Sequence, residues 1–434
     1  ADSKRRGLLF AGTERGVYVS FDDGAKWQPL QLKLPIVPIH DMLVHDDSLI
    51  LATHGRGFWI LDDIAPLRDF APELASKPVH LFTPAATWRM GAGGRRGGGP
   101  RLEGTNPPNG AIVDFLLHEQ KPGTKVSLAF LGTDGKVIRE LKGEVKTPAS
   151  KAKEITAAEA NKPGAGSVTA APPQPERTEA IKSEGGAAEE NAPAGAKEEE
   201  ADDEGRGGDK NADKLPDVAN GHNRVVWNLR YPDAKKFPGM ILWAGGTTGP
   251  KVLPGTYQTR LTVGDQVVTA PLEVRQDPRT TASSAGVKSQ FDFVMSVYNK
   301  LSEVNQQITR VREVRKQLTD VKKRLGDAKE SKPIVDAANT LDEKMTAVEE
   351  ALYQTKNKSS QDPLNYPIRL NDKLAGVGDS ASTGANAPTL QQVAVRDELV
   401  ARIDAQLATL KAIFDTDLPA FNKLVRDQNV PAVK

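Results

Sequence analysis

Residues 10–30 read FAGTERGVYVSFDDGAKWQPL, and the part from Ser20 to Trp27, SFDDGAKW, fits the pattern S-x-D-x-G-x-x-W. In physical terms the pattern describes a tight hairpin. Gly24 can take a positive φ without steric cost. Asp22 can accept backbone N–H bonds and lock the turn. Trp27 can cover the apolar surface between the two strands. Further short runs of β-forming residues flank this turn, separated by Gly, Asp and Pro: LLFAGT (8–13), GVYVSF (16–21), HDMLVH (40–45), SLILAT (48–53) and GFWILDD (57–63). Residues 1–85 are therefore expected to be dense in strands.

The constellation Ser20, Asp22, Gly24 and Trp27 resembles the Asp-box, or bacterial neuraminidase (BNR) repeat, of β-propellers. Its surroundings extend the likeness. Gly12, Thr13, Gly16, Val17 and Tyr18 resemble the G-T-x-x-G-V-Y phrase of exported bacterial Asp-box proteins. ATHGRGFWILDD (52–63) resembles the closing segment of propellers in xyloglucanase-like and sortilin-like relatives. The resemblance implies one or two terminal propeller blades within residues 1–85. A propeller takes about 4–8 blades, so this chain alone is not expected to close one. Opening on a strand soon after Ala1, it is expected to be the C-terminal part of a longer protein that is secreted, periplasmic or on the cell surface.

The same resemblance gives Ser20, Asp22, Gly24 and Trp27 a structural role at the propeller periphery. Sialidase-like relatives use an arginine triad and a tyrosine nucleophile, and xyloglucanase-like ones use two aspartates flanking the scissile bond. Asp41, Asp46, Asp47, Asp62 and Asp63 match no such catalytic motif, and Tyr18 lies in a strand beside the box. No catalytic residue is assigned; the acids of a glycoside hydrolase would lie upstream of Ala1. His54 and Arg56 form the sharpest polar cluster of the segment. They are read as ligand-facing, with Arg56 available to an acidic group, or alternatively as a tie from the closing blade to neighbouring carbonyls.

Beyond a glycine stretch (GAGGRRGGG, 91–99) in a linker spanning 86–109, strands return. GAIVDFLLH (110–118), KVSLAFL (125–131) and GKVIREL (135–141) make one group, with a hairpin signal at Asp134–Gly135. NRVVWNLRY (223–231), GTYQTRLTV (255–263) and QVVTAPLEV (266–274) make the other. Val225, Trp227 and Leu229 alternate with Val226, Asn228 and Arg230, so one face can be buried. Residues 145–217 contain no aromatic side chain and carry the acidic run KEEEADDE (197–204). This composition predicts a disordered insertion within a domain spanning 110–278. GHNRVVWNLRY and VLPGTYQTRLTV resemble the immunoglobulin-like modules of flagellar hook-capping and cell-surface sorting proteins. That likeness implies a β-sandwich spacer with Trp227 and Tyr257 as core residues on opposing sheets.

Residues 279–434 read as a helical bundle. The first stripe runs Val287, Phe291, Val294, Tyr298, Leu301, Val304, Ile308, Val311, Val314, Leu318, Val321 and Leu325, close to a heptad period. Packing within the chain is the expected use of this stripe, an intermolecular coiled coil the alternative. Ser331 is a candidate N-cap for a second helix carrying Ile334, Ala338, Leu341, Met345, Val348 and Leu352. A loop is expected at 356–388, then a helix with Leu399, Ile403, Leu407, Leu410 and Phe414, and a short last one with Leu418, Phe421, Leu424 and Val425. DPLNYPIRLNDKLAGV (362–377) and DLPAFNKLV (417–425) resemble the C-termini of the same exported Asp-box proteins.

Composition narrows the function. Net charge is +1, which argues against a chain-wide basic field for nucleic acid. Cysteine is absent, which excludes disulfides, thiolate metal sites and a cysteine nucleophile. No apolar run is long enough for a membrane span. His40, His45, His80, His118 and His222 show no metal-ligand spacing, and neither a metal nor a cofactor is expected. The chain is thus a multidomain β plus α protein: terminal blades, an immunoglobulin-like sandwich and a helical bundle. Its expected role is a non-catalytic binding or scaffold module for a glycan or protein ligand, docked on the N-terminal blades of its parent. The alternatives are part of a glycoside hydrolase and a sortilin-like peptide-binding propeller.

Overall fold

A computed structural model describes residues 1–90, 107–146, 213–326 and 331–428. The chain is mixed β and α, with several sheets followed by a C-terminal helical region. Residues 1–146 and 208–434 cluster as one compact unit; the other, 147–207, lies outside the described residues.

β1 (Leu9–Thr13), β2 (Gly16–Ser20) and β3 (Gln28–Pro29) form one antiparallel sheet. β4 (Ile39–His45), β5 (Ser48–Thr53) and β6 (Phe58–Leu61) form a second. They share a small core of Val17, Leu34, Val37, Leu49, Leu51 and Ile64. Helix α1 (Ala65–Asp69) then carries Arg68 back to the chain start. Its guanidinium donates to the buried Asp2 carboxylate at 2.8–3.2 Å, to the Asp46 carbonyl at 2.7 Å and to Asp47.

β7 (Val79–Leu81) lies within the stretch grouped with the blades, yet it hydrogen-bonds to β9 (Ala111–Leu117), which in turn pairs with β12 (Gly221–Trp227). The facing sheet runs β11 (Val137–Glu144), β10 (Lys125–Leu131), β13 (Gly255–Val263), β14 (Gln266–Gln276) and β8 (Thr87–Arg89). β8 falls inside the expected linker and pairs in parallel with Val274–Gln276 of β14. Both sheets feed one core, where Trp227 stacks on Phe130 at 4.3 Å and meets Tyr257 edge-on at 6.2 Å. Trp227 and Tyr257 do stand on different sheets. The expected insertion is shorter at both ends than composition suggests: Val145 pairs with Val218, Lys142 pairs with Lys214, and Val145 and Leu215 are buried. The rest of it, 147–212, and the glycine stretch 91–99 lie outside the described residues.

In the helical region α2 (Ser284–Leu325) is capped by the Ser283 hydroxyl, which accepts from the Gly286 N–H at 3.1 Å. Ser331 stands at the N-cap of α3 (Lys332–Leu352), but its side chain makes no capping bond. The expected loop 356–388 contains a 12-residue helix, α4 (Leu370–Ala381). α5 (Leu390–Ala412), closed at its start by a Thr389–Gln392 capping box, runs through a π-turn (Ile413–Asp417) into α6 (Leu418–Asp427). The last two expected helices are therefore continuous. The α2 stripe from Val304 to Leu318 is buried against the chain's own helices, while Leu301 packs with Ala234 and Ala375. Nearer the start of α2, Phe293 enters that core, Val294 and Val297 touch both it and a cleft shared with the sheet loops, and Phe291 and Tyr298 line the cleft. A single stripe could not describe a helix flanked on two sides.

Residues 232–249, between β12 and β13, carry no regular structure and pack on the helices. Phe237 joins the helical core. The Asp372 carboxylate accepts from the Trp243 and Ala244 N–H groups at 2.8–3.0 Å, and Asp379 accepts from Gly246 at 2.9 Å.

Candidate functional site

The Ser20–Trp27 turn is built from side-chain hydrogen bonds, most of them to backbone N–H groups. Ser20 is fully buried; its hydroxyl donates to Asp22 Oδ1 and accepts from the Gly24 N–H, both at 2.9 Å. The same Asp22 oxygen accepts from the Lys26 N–H at 2.8 Å. These donors, the Lys26 N–H foremost, hold the Asp22 carboxyl below the usual carboxylate range. Gly24 has φ +93°, and Asp23 before it +60°. Trp27 is only half-covered, lying over Gly24. All four residues are occupied in shaping one turn.

His54 and Arg56 lie on the exposed turn between β5 and β6, where Gly55 and Gly57 take φ of +72° and +68°. The His54 ring packs on His40 with centroids 4.9 Å apart. The Arg56 carbonyl accepts from the Trp59 indole at 3.2 Å, while its guanidinium has no acceptor among the described residues. Asp62 ends the same hairpin with its carbonyl accepting from Ser48, and the buried Asp63 caps α1 through the Ala65 N–H.

A third site gives no sequence signal. Arg230 and Lys251 pair across an isolated antiparallel bridge, flanked by the bonds Tyr231 N–H to Pro250 carbonyl and Val252 N–H to Leu229 carbonyl. β8 delivers Arg89 beside them, its Nε donating to the Val252 carbonyl at 2.9 Å. Lys251 Nζ donates to the Met90 carbonyl at 2.6 Å, and Arg230 Nη1 to the Gly249 carbonyl at 2.8 Å. Burial lowers the pKa of all three cations, and their mutual repulsion adds to the drop for Arg89 and Lys251; Lys251 falls to about 8. They line a cleft closed on the other side by α2 and α4. These residues are far apart in sequence, and only the bridge and the short parallel strand bring them together.

Among the described residues no group of three or more His, Asp or Glu side chains is arranged to hold a metal ion, and no helix is long and apolar enough to cross a membrane. No protein-family model matches the chain, nor does any curated protein or solved structure.

Proposed function

We propose that this chain is the non-catalytic C-terminal portion of an exported Asp-box β-propeller protein, serving as a binding and scaffold module for glycan or protein ligands. In this reading β1–β6 belong to terminal blades, the two-sheet domain is an immunoglobulin-like spacer, and the helices brace it. The observation that carries the reading is the outer face of the β4–β6 sheet. Leu43, Phe58 and Ile60 are 57%, 78% and 55% exposed, while Leu49 and Leu51 on the opposite face are buried. Ile50 pairs with both Leu43 and Ile60, so the exposed side chains form one apolar patch. Patches of this kind mark surfaces that another element covers. A neighbouring blade, laid face to face, is the occupant that an end blade requires. The self-contained Ser20–Asp22–Gly24 turn supports the Asp-box assignment, and the Arg56 guanidinium, without an acceptor among the described residues, supports ligand contact at the β5–β6 turn.

The test is incubation of the full chain with β-glucans and sialylated glycans, scoring retention and release of reducing sugar separately. Retention that weakens in Arg56→Ala, without sugar release, is expected. Turnover by the chain alone overturns the non-catalytic reading.

A further inference from the structure

The cleft between the sandwich loops and α2 has a composition that core packing does not account for. Like charges directly opposite on paired strands destabilise a sheet, yet Arg230 and Lys251 are such a pair. Arg89 brings a third positive charge to the same spot. Each of the three has one carbonyl acceptor, and among the described residues none makes an ion pair. Asp379 is the one acid among the described lining residues, and its carboxylate accepts from the Gly246 N–H. Among the described lining residues, three cations against one carboxylate leave an excess of two positive charges, which one phosphate or sulfate dianion would balance.

The shape agrees with the charge. The water-accessible space is about 60 Å³, room for a few waters, at about 10–15 Å³ each on this measure, or for one small oxyanion. Thr247 and Thr248 add hydroxyls to the wall that carries Arg230 and Lys251, and Phe291 and Val294 close the opposite side with apolar surface. Guanidinium forks match the oxygens of phosphate and sulfate bidentately, and their strength grows where water is excluded. We propose that this cleft is a binding site for a small tetrahedral oxyanion, phosphate or sulfate, held by Arg89, Arg230 and Lys251. The anion adds to the counter-charge that Asp379 and Asp233 offer Arg230.

The proposal is tested by calorimetric titration of the full chain with inorganic phosphate, with sulfate and with acetate in parallel arms. A sodium chloride background of about 0.1 M screens charges separated by more than about 10 Å. Saturable phosphate and sulfate binding is expected. Arg230→Gln and Lys251→Met should each weaken it by about tenfold or more, the loss of one charged hydrogen-bonding partner. Lys251→Arg, which keeps the charge, should retain most of it, and Arg402→Gln, on the exposed face of α5, should leave it unchanged. Far-UV circular dichroism confirms that each variant is folded, and Lys251→Met serves if Arg230→Gln is not. Absence of saturable phosphate or sulfate binding overturns the proposal. So does equal affinity in the wild type and both charge-removing variants. Acetate binding as tightly as phosphate replaces the tetrahedral dianion with a carboxylate and overturns it as stated.

Discussion

Replacing Lys251 by methionine removes a charge that its surroundings disfavour while keeping an unbranched stem of similar length. Burial, then Arg230 and Arg89, pulls the lysine from 10.5 to about 8. At about 1.36 kcal/mol per pKa unit, holding the ammonium charged in the fold costs about 3 kcal/mol relative to the unfolded chain. The lost bond to the Met90 carbonyl offsets about 1 kcal/mol of the gain. Without oxyanion, Lys251→Met should therefore be more stable than the wild type by about 2 kcal/mol near neutral pH. The pH dependence has a definite sign. Between about 8 and 10.5 the unfolded lysine holds its proton and the folded one releases it, so wild-type stability rises with pH across that window. Below about 8 the penalty is fully present. The variant lacks the group, so its advantage should shrink from pH 8 upward, reach zero before 10.5 and end there as a deficit of about 1 kcal/mol, the lost hydrogen bond. Urea unfolding of both proteins across this range, in a buffer free of phosphate and sulfate, reads the difference directly from the midpoints. A variant less stable than the wild type at neutral pH, or a gap that stays constant from pH 7 to 10, would refute this account of the cleft.

Three other perturbations probe the remaining joints of the molecule. Asp114 is buried and accepts from Arg224 at 2.9 and 3.0 Å and from His222 at 2.7 Å; burial alone would raise its carboxyl, but these donors outweigh it and hold it below the ordinary 3.8. Asp114→Asn should cost about 2–4 kcal/mol at neutral pH, and its gap to the wild type should close as pH falls below about 4, where the unfolded carboxyl is protonated and the folded one follows; a pH-independent gap counts against the ionic account. A Cβ on Gly245 would sit 2.3 Å from the Ala375 carbonyl carbon and 2.5 Å from Gly376 N, so Gly245→Ala should cost about 3 kcal/mol or more, because backbone on both sides cannot yield as side chains do; a loss below about 0.5 kcal/mol would show that the loop shifts freely. The triple change Leu43→Ser, Phe58→Ser, Ile60→Ser should leave the unfolding midpoint nearly unchanged, since these side chains are already exposed, and should abolish any concentration-dependent association seen by sedimentation; equal behaviour of an associating wild type and the variant would remove the apolar face as its cause.

Periodicity made most strands and three of the helical stripes legible, because alternating burial in β12 and recurrent burial in α3 follow directly from which side chains face the core. α4 escaped notice for a physical reason. Its sequence LNDKLAGVGDSA carries two glycines and turns the polar Asn371 and Asp372 inward, so its helicity rests on tertiary bonds to residues 243–246. Leu370 and Leu374, one turn apart, were its only local mark. β8 is three residues long and owes its state to the edge of β14. The Ser20–Trp27 turn was readable because its side-chain hydrogen bonds close within six residues of Ser20. The cationic cleft was not, since Arg89, Arg230 and Lys251 meet only after three separate segments are in place.

Residues 232–249 carry no regular secondary structure, yet several of their amides are firmly hydrogen-bonded. The N–H groups of Ile241, Trp243, Ala244 and Gly246 end on Tyr353, Asp372 and Asp379 of the helical region, while Ala234 bonds back to Thr247 within the segment. Slow hydrogen–deuterium exchange is the corollary, with protection that tracks the helices and not the exposed turns. The segment leaves β12 and returns to β13, so detaching it also pulls on the two strands that flank the Trp227 core. Two cores that share such a clamp open as a single cooperative foldon, and a denaturation curve of this chain should carry one transition where its two sequence textures suggest two.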